Sequence, residues 1–169
     1  MRKGGLIACS ICELIALAVW TGGLIVIIGA VIPSVFNTMA MDQGGRLLAR
    51  VFDGYNRLTA GAILILTLAA AWRLWLGREE ARLTRPEIVL LTLMVAVAAA
   101  ITLWLTPATV SLQEQAFAAQ TEAAKKAAYA EFFKVHTVVR GLYLLNLALG
   151  IALLAVKVRA WMNPGRITA

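Results

Sequence analysis

Four long apolar runs constrain this chain more than any other feature. They cover about residues 6–32, 58–76, 88–106 and 137–156, and each holds about 19 or more mostly apolar residues. At a rise of about 1.5 Å per residue, about 20 residues in a helix cross the roughly 30 Å hydrocarbon core of a bilayer. Lipid offers no partner to a backbone amide, so such runs must bond internally as helices. Composition agrees, with 61% hydrophobic and 15% charged residues, against about 45–50% and about 25% in soluble domains. The expected fold is an all-α integral membrane protein. It is one domain over 1–169, a four-transmembrane-helix bundle made of two helical hairpins.

The first run follows Met1-Arg2-Lys3 and could be mistaken for a secretory signal. It is longer than the roughly 7–15 residues of a signal core, contains Glu13 and lacks an A-x-A cleavage site. Leu6-Ile7-Ala8-Cys9 resembles a lipoprotein box, but no hydrophobic region precedes it. The expectation is an uncleaved anchor.

The formal charge is +7, from 16 Lys and Arg against 9 Asp and Glu. Most basic residues flank the apolar runs, where they hold helix ends at an anionic leaflet, and no nucleic-acid motif is present. Nine of them (Arg2, Lys3, Arg73, Arg78, Arg82, Arg85, Lys157, Arg159 and Arg166) fall on the side of the termini and the middle loop. The two long loops carry six, Arg46, Arg50, Arg57, Lys125, Lys126 and Lys134, with Arg140 inside the fourth span. The bias predicts cytoplasmic N- and C-termini, and the compact chain suggests a bacterial plasma membrane.

The connections extend the helices. Leu47, Leu48, Val51, Phe52 and Tyr55 share a face, with Arg46, Arg50, Asp53 and Arg57 on the other, so helix two is expected to project about three to four turns beyond the outer leaflet. Asp42 is its expected N-cap. Residues 116–135 read as a similar extension into helix four. Thr84-Arg85-Pro86-Glu87 is a capping box with proline in the first turn.

His136, Arg140, Tyr143 and Asn146 form a stripe on the fourth helix, at i, i+4, i+7 and i+10. An arginine at that depth normally faces the bundle with a partner, which makes the four candidates for a small outward-facing polar pocket taking an anion, a lipid headgroup or a proton. The plainer alternative is an arginine snorkelling beside a histidine at the helix end. Glu13 and Arg73 lie at similar depth near the inner face and form an expected ion pair. That pair either joins two helices or, more sharply, supplies a proton-coupling carboxylate. Cys9 and Cys12 share a helix face and are weak candidates for a soft metal, against the plainer reading of small packing residues. One histidine excludes a b-type haem held by two histidines of the chain, and no cofactor is expected.

Several segments carry a family resemblance. They are Trp20-Thr-Gly22-Gly23, Pro33-Ser-Val-Phe36, Gly45-Arg46-Leu-Leu-Ala-Arg50-Val-Phe52-Asp-Gly-Tyr55, Pro107, and Phe132-Phe133-Lys-Val-His136-Thr-Val-Val-Arg140-Gly-Leu-Tyr143-Leu-Leu-Asn146. In this order they resemble the family of domain of unknown function 4149, the transmembrane protein 205-like proteins, across nearly the whole chain. The Trp20 to Phe36 stretch also looks like the start of copper-resistance D-type membrane domains. The resemblance implies a four-span membrane protein without an established activity, whose animal relatives are associated with resistance to platinum compounds.

The functional expectation is a non-enzymatic membrane protein that binds a small ligand, metal ion or lipid, or helps to move it. A structural subunit or assembly factor of a larger membrane complex is the second reading, and a proton-coupled small transporter using Glu13 the third. An enzyme lacks support, since no nucleophile–base pair, metal cluster or phosphate loop is present. The expected partners are membrane lipids and a homo-oligomer or larger complex, not nucleic acid.

Overall fold

The computed structural model describes residues 3–76 and 83–162. Arg2, Arg78, Arg82 and Arg166, four of the nine basic residues behind the expected orientation, lie outside the described residues.

Every described element is helical: α1 (Lys3–Val26), a π-helical turn (Ile27–Val31), α2 (Ile32–Thr38), α3 (Met41–Leu76), α4 (Arg85–Ala100), a second π-helical turn (Ile101–Leu105), α5 (Thr106–Ala118) and α6 (Glu122–Met162). Four continuous helical stretches, 4–38, 41–76, 85–118 and 122–160, are long and apolar enough to cross a membrane.

The first and third stretches run on past Pro33 and Pro107, the prolines that follow the first and third apolar runs. Pro33 and Pro107 each follow a π turn by two residues and sit in the first turn of the helix beyond it. A proline ring inside an α-helix collides with the carbonyl four residues back. The wider π turn moves that carbonyl aside, so the helix continues. All four stretches therefore have similar lengths, and extension is not confined to helices two and four. Asp42 is not a cap either. It lies inside the first turn of α3, where its charge favours the positive helix end. Thr84 does form the expected box, with Glu87 N–H donating to its hydroxyl at 3.4 Å and Thr84 N–H donating to Glu87 Oε2 at 2.8 Å.

The chain is built twice. In the first stretch and the third, Glu13 and Glu87, Trp20 and Met94, Leu24 and Ala98, Ile27 and Ile101, and Pro33 and Pro107 are each 74 positions apart. In α3 and α6, the inward positions Tyr55, Thr59, Ala62, Leu66, Ala69 and Arg73 match Val139, Tyr143, Asn146, Gly150, Leu153 and Lys157 at a constant 84. Each half is a π-broken helix followed by an unbroken one, with a carboxylate near one end of the first and a cation near the end of the second.

Helix α1 packs on α3, α4 and α5 pack on α6, and α1 meets α6 in the centre. The central approach depends on Gly150: a Cβ there would collide with Thr21 Cγ2 and lie 3.3 Å from Met94 Cε. The core runs through Leu17, Trp20, Leu24, Leu66, Met94, Ile101 and Leu153. The apolar face of α3 near its start is filled by the chain itself. Gly44 abuts Val35 and Phe36, and Phe52 packs at a tilt with its ring 5.1 Å from that of Tyr143, while on the opposite face Arg46 lies 5.0 Å over the Phe117 ring.

Candidate functional site

Charge is buried at one end of the bundle. Glu13 comes from α1, Arg73 from the end of α3, Glu87 from the first turn of α4 and Lys157 from the last turns of α6. Arg73 Nη1 lies 3.2 Å from Glu13 and 3.5 Å from Glu87, and Lys157 Nζ lies 2.6 Å from Glu13 and 3.3 Å from Glu87. The four side chains thus form a closed ring of alternating sign in which each carboxylate touches both cations. The ring draws one member from each of the four long helical stretches. Glu13 is 3% exposed, Glu87 4% and Lys157 6%, so little of this charge is hydrated. The two carboxylates are repeat equivalents, and so are the two cations.

Sequence reading brought Glu13 and Arg73 together but separated the other two. Glu87 looked complete as a cap residue. In the structure its Oε2 accepts from the Thr84 hydroxyl and amide at 3.1 and 2.8 Å, leaving Oε1 for Lys157. Lys157 looked like an interfacial anchor because it follows an apolar run. The signal that could have found both was the repeat spacing, which aligns Glu87 with Glu13 and Lys157 with Arg73.

One turn further in, Leu17, Ala69 and Leu153 cover the ring, and Leu66 follows, all 7% exposed or less. Beyond this apolar layer the interior becomes polar again. Tyr143 donates to Asn56 Oδ1 at 2.9 Å, tying α6 to α3, and Tyr55 donates to the Trp20 carbonyl at 2.9 Å, tying α3 to α1. Close passage of Tyr55 needs Gly23, where a Cβ would lie 3.3 Å from its ring. Asn146 Nδ2 donates to the Met94 carbonyl at 3.3 Å, tying α6 to α4. Asn146 and Thr59 are 4% and 5% exposed; Asn146 Oδ1 makes no hydrogen bond, and the Thr59 hydroxyl lies against that of Tyr55.

Of the stripe on α6, Tyr143 and Asn146 enter this polar layer while the other two do not. His136 is half-buried and stacks on Phe132 with ring centroids 5.2 Å apart. Arg140 is exposed. The inward seam of α6 passes through Val139, Tyr143, Asn146, Gly150, Leu153 and Lys157, and at about 100° per residue Arg140 lies roughly a quarter-turn off its centre. Two open grooves of about 790 and 520 Å³ lie at the His136 end, among the starts of α3 and α6 and the end of α5, away from the polar layer. Cys9 donates weakly to the Ala69 carbonyl at 3.8 Å, and Cys12 is exposed. Among the described residues no three His, Cys, Asp or Glu side chains gather in a metal-binding group.

A family model described as domain of unknown function (DUF4149) matches residues 15–118, more than half of the chain. The chain belongs to the DUF4149 family. Its matched part takes in the Glu13 side of α1 only from residue 15 onward, so in this DUF4149 protein Glu13 and Lys157 fall outside the match while Arg73 and Glu87 fall inside it. Neither the curated proteins nor the solved structures contain a match to this DUF4149 chain.

Proposed function

We propose that this DUF4149 protein is a non-enzymatic integral membrane protein that binds a small ligand in the polar layer and assists its movement, with the ionic ring as the closure of one end. The ring supports this reading. Removing two carboxylates and two cations from water costs several kcal/mol per ion, and a well-packed apolar core of the same volume would be no less stable. Charge retained at membrane depth marks ion and substrate pathways or their gates. The ring joins the two halves, the leucines seal the bundle above it, and the polar layer with the unpaired Asn146 Oδ1 lies beyond that seal. Movement of one half against the other would break the Glu13–Lys157 and Arg73–Glu87 contacts and leave one ion pair within each half.

The protein resides in a membrane, for which a bacterial plasma membrane with the ring at the cytoplasmic face is our proposal. Arg73 and Lys157 are consumed by the ring, so the basic residues free to set orientation number seven against six in the long loops. That count retains the cytoplasmic placement of both ends.

The test is accessibility. In a chain with Cys9→Ser and Cys12→Ser, Leu153→Cys reports whether water-soluble thiol reagents pass the ring. We expect slow labelling in inverted membrane vesicles with the ring intact and much faster labelling once Lys157→Met opens it. Equal labelling in both backgrounds would remove the gate.

A further inference from the structure

We propose that the groove between the start of α3 and the end of α5 binds a free α-amino acid with an apolar side chain. Its carboxylate rests on Arg46 and Arg50 and its ammonium on Glu114. The site is separate from the polar layer and from the ring, and depends on neither.

Spacing on two helices builds the groove. Arg46 and Arg50 are four residues apart on α3, so their side chains leave one face. Val110, Gln113, Glu114 and Phe117 fall at i, i+3, i+4 and i+7 on α5 and share a face in the same way. These six line one space of about 520 Å³. Small-molecule sites occupy about 300–1,000 Å³. The two helices meet at Gly45, where a Cβ would lie 2.8 Å from Gln113 Nε2 and 3.6 Å from Phe117 Cζ.

Charge selects the ligand. Two guanidiniums and one carboxylate line the same space, yet neither Arg46 nor Arg50 forms an ion pair with Glu114. Elsewhere on the exposed helix surface opposite charges do close on one another, Arg57 on Asp53 at 2.8 Å and Lys134 on Glu131 at 2.6 Å. Among the described residues Arg50, Glu114 and the Gln113 amide have no hydrogen bond or ion pair. Arg46 is set against the groove wall, 5.0 Å over the Phe117 ring, a contact that steadies a long cationic side chain. Three donors and one separate acceptor therefore face a common space. Guanidinium forks take carboxylates through paired N–H bonds, and a carboxylate takes an ammonium. A ligand that carries both groups a few ångströms apart satisfies both sides at once. A plain anion would leave Glu114 facing it, and a plain cation would meet two arginines. Val110 and Phe117 supply apolar surface for the rest of the ligand.

Depth makes the ligand a free solute and not a lipid headgroup. Arg50 and Gln113 lie about 10–12 Å along their helices beyond the second and third apolar runs. A headgroup layer occupies only about 5–7 Å of that distance. Side chains on α3 also tilt toward the helix start, away from the bilayer. The groove opens to water.

The experiment is scintillation-proximity binding of tritiated L-leucine and L-phenylalanine to the full chain in lipid nanodiscs. We expect saturable binding of at least one of them. The matching acid without the ammonium and the amine without the carboxylate (4-methylpentanoate and 3-methylbutylamine for leucine) should compete at least tenfold more weakly. An analogue that competes as well as the amino acid would overturn the paired recognition, and absence of saturable binding by both amino acids would overturn the site. Arg50→Gln and Glu114→Gln should each weaken binding at least tenfold, while Arg140→Leu, outside the groove, should leave it unchanged. Binding that survives both groove variants and is lost in Asn146→Leu would place the ligand in the polar layer, which upholds that site and overturns this one.

Discussion

Lys157→Met tests the ring most directly. Its ammonium lies 2.6 Å from Glu13 and 3.3 Å from Glu87. At an effective dielectric of about 20, those contacts correspond to about 6 and about 5 kcal/mol of attraction. Removing the ammonium also removes its desolvation cost of several kcal/mol, and the methionine packs the same space. The net loss for breaking a buried pair from one side is about 3–5 kcal/mol, because two carboxylates are left facing Arg73 alone. The assay is reversible unfolding in mixed micelles, followed by circular dichroism across a denaturant series. Glu87→Gln is then combined with Lys157→Met, which restores neutrality around the remaining Glu13–Arg73 contact. The double variant should lose clearly less than the two single losses added together, the difference being the coupling within the ring. A single loss below about 1 kcal/mol, or strict additivity, would refute the reasoning, since the four charges would then be acting as separate, hydrated groups.

Gly150→Ala should destabilise by about 1–3 kcal/mol in the same unfolding assay, because its Cβ meets Thr21 Cγ2. Adding Thr21→Ala should recover much of that, whereas Gly141→Ala, with open space around it, should cost almost nothing. Tyr143→Phe should cost about 1–3 kcal/mol by stranding Asn56 Oδ1, and Asn56→Leu in that background should cost less than in the wild type. Arg140→Leu should leave the unfolding midpoint nearly unchanged, since the side chain is exposed. With both native cysteines changed to serine, Gln120→Cys should be labelled in intact cells by a membrane-impermeant maleimide; labelling confined to inverted vesicles would reverse the proposed orientation.

The four long apolar helices were legible because a run of about twenty apolar residues has one backbone solution away from water, and the α4 capping box because its chemistry is local. The continuation of helices past Pro33 and Pro107 was not, because proline is a reliable stop only where the preceding turn is α-helical. The π turns that admit it have no residue signature of their own. The site divides in the same way. Glu13 stands out as a carboxylate inside an apolar run, and Arg73 lies at the matching depth. Lys157 and Glu87 each had a sufficient local explanation, an anchor and a cap, which concealed a contact made 70 residues apart. Arg140 was legible as a charge within a span. Its direction was not, because four residues at i, i+4, i+7 and i+10 fix a stripe but not which flank of the stripe meets the neighbouring helices. Asn56 carried no signal at all, being an ordinary polar residue just before the expected second span.

The alternation of charge around the ring also bears on how such a chain is made. Glu13 and Arg73 belong to the first helix pair, Glu87 and Lys157 to the second, and within each pair acid and base are already in contact, at 3.2 and 3.3 Å. Each pair can therefore leave the insertion machinery with its counter-ion alongside, during synthesis, before the other pair exists. Neither half has to hold a bare charge in lipid while it waits. Joining the halves then exchanges two isolated ion pairs for four mutual contacts, so the last event of assembly is an electrostatic one, made between two units that are each already neutral.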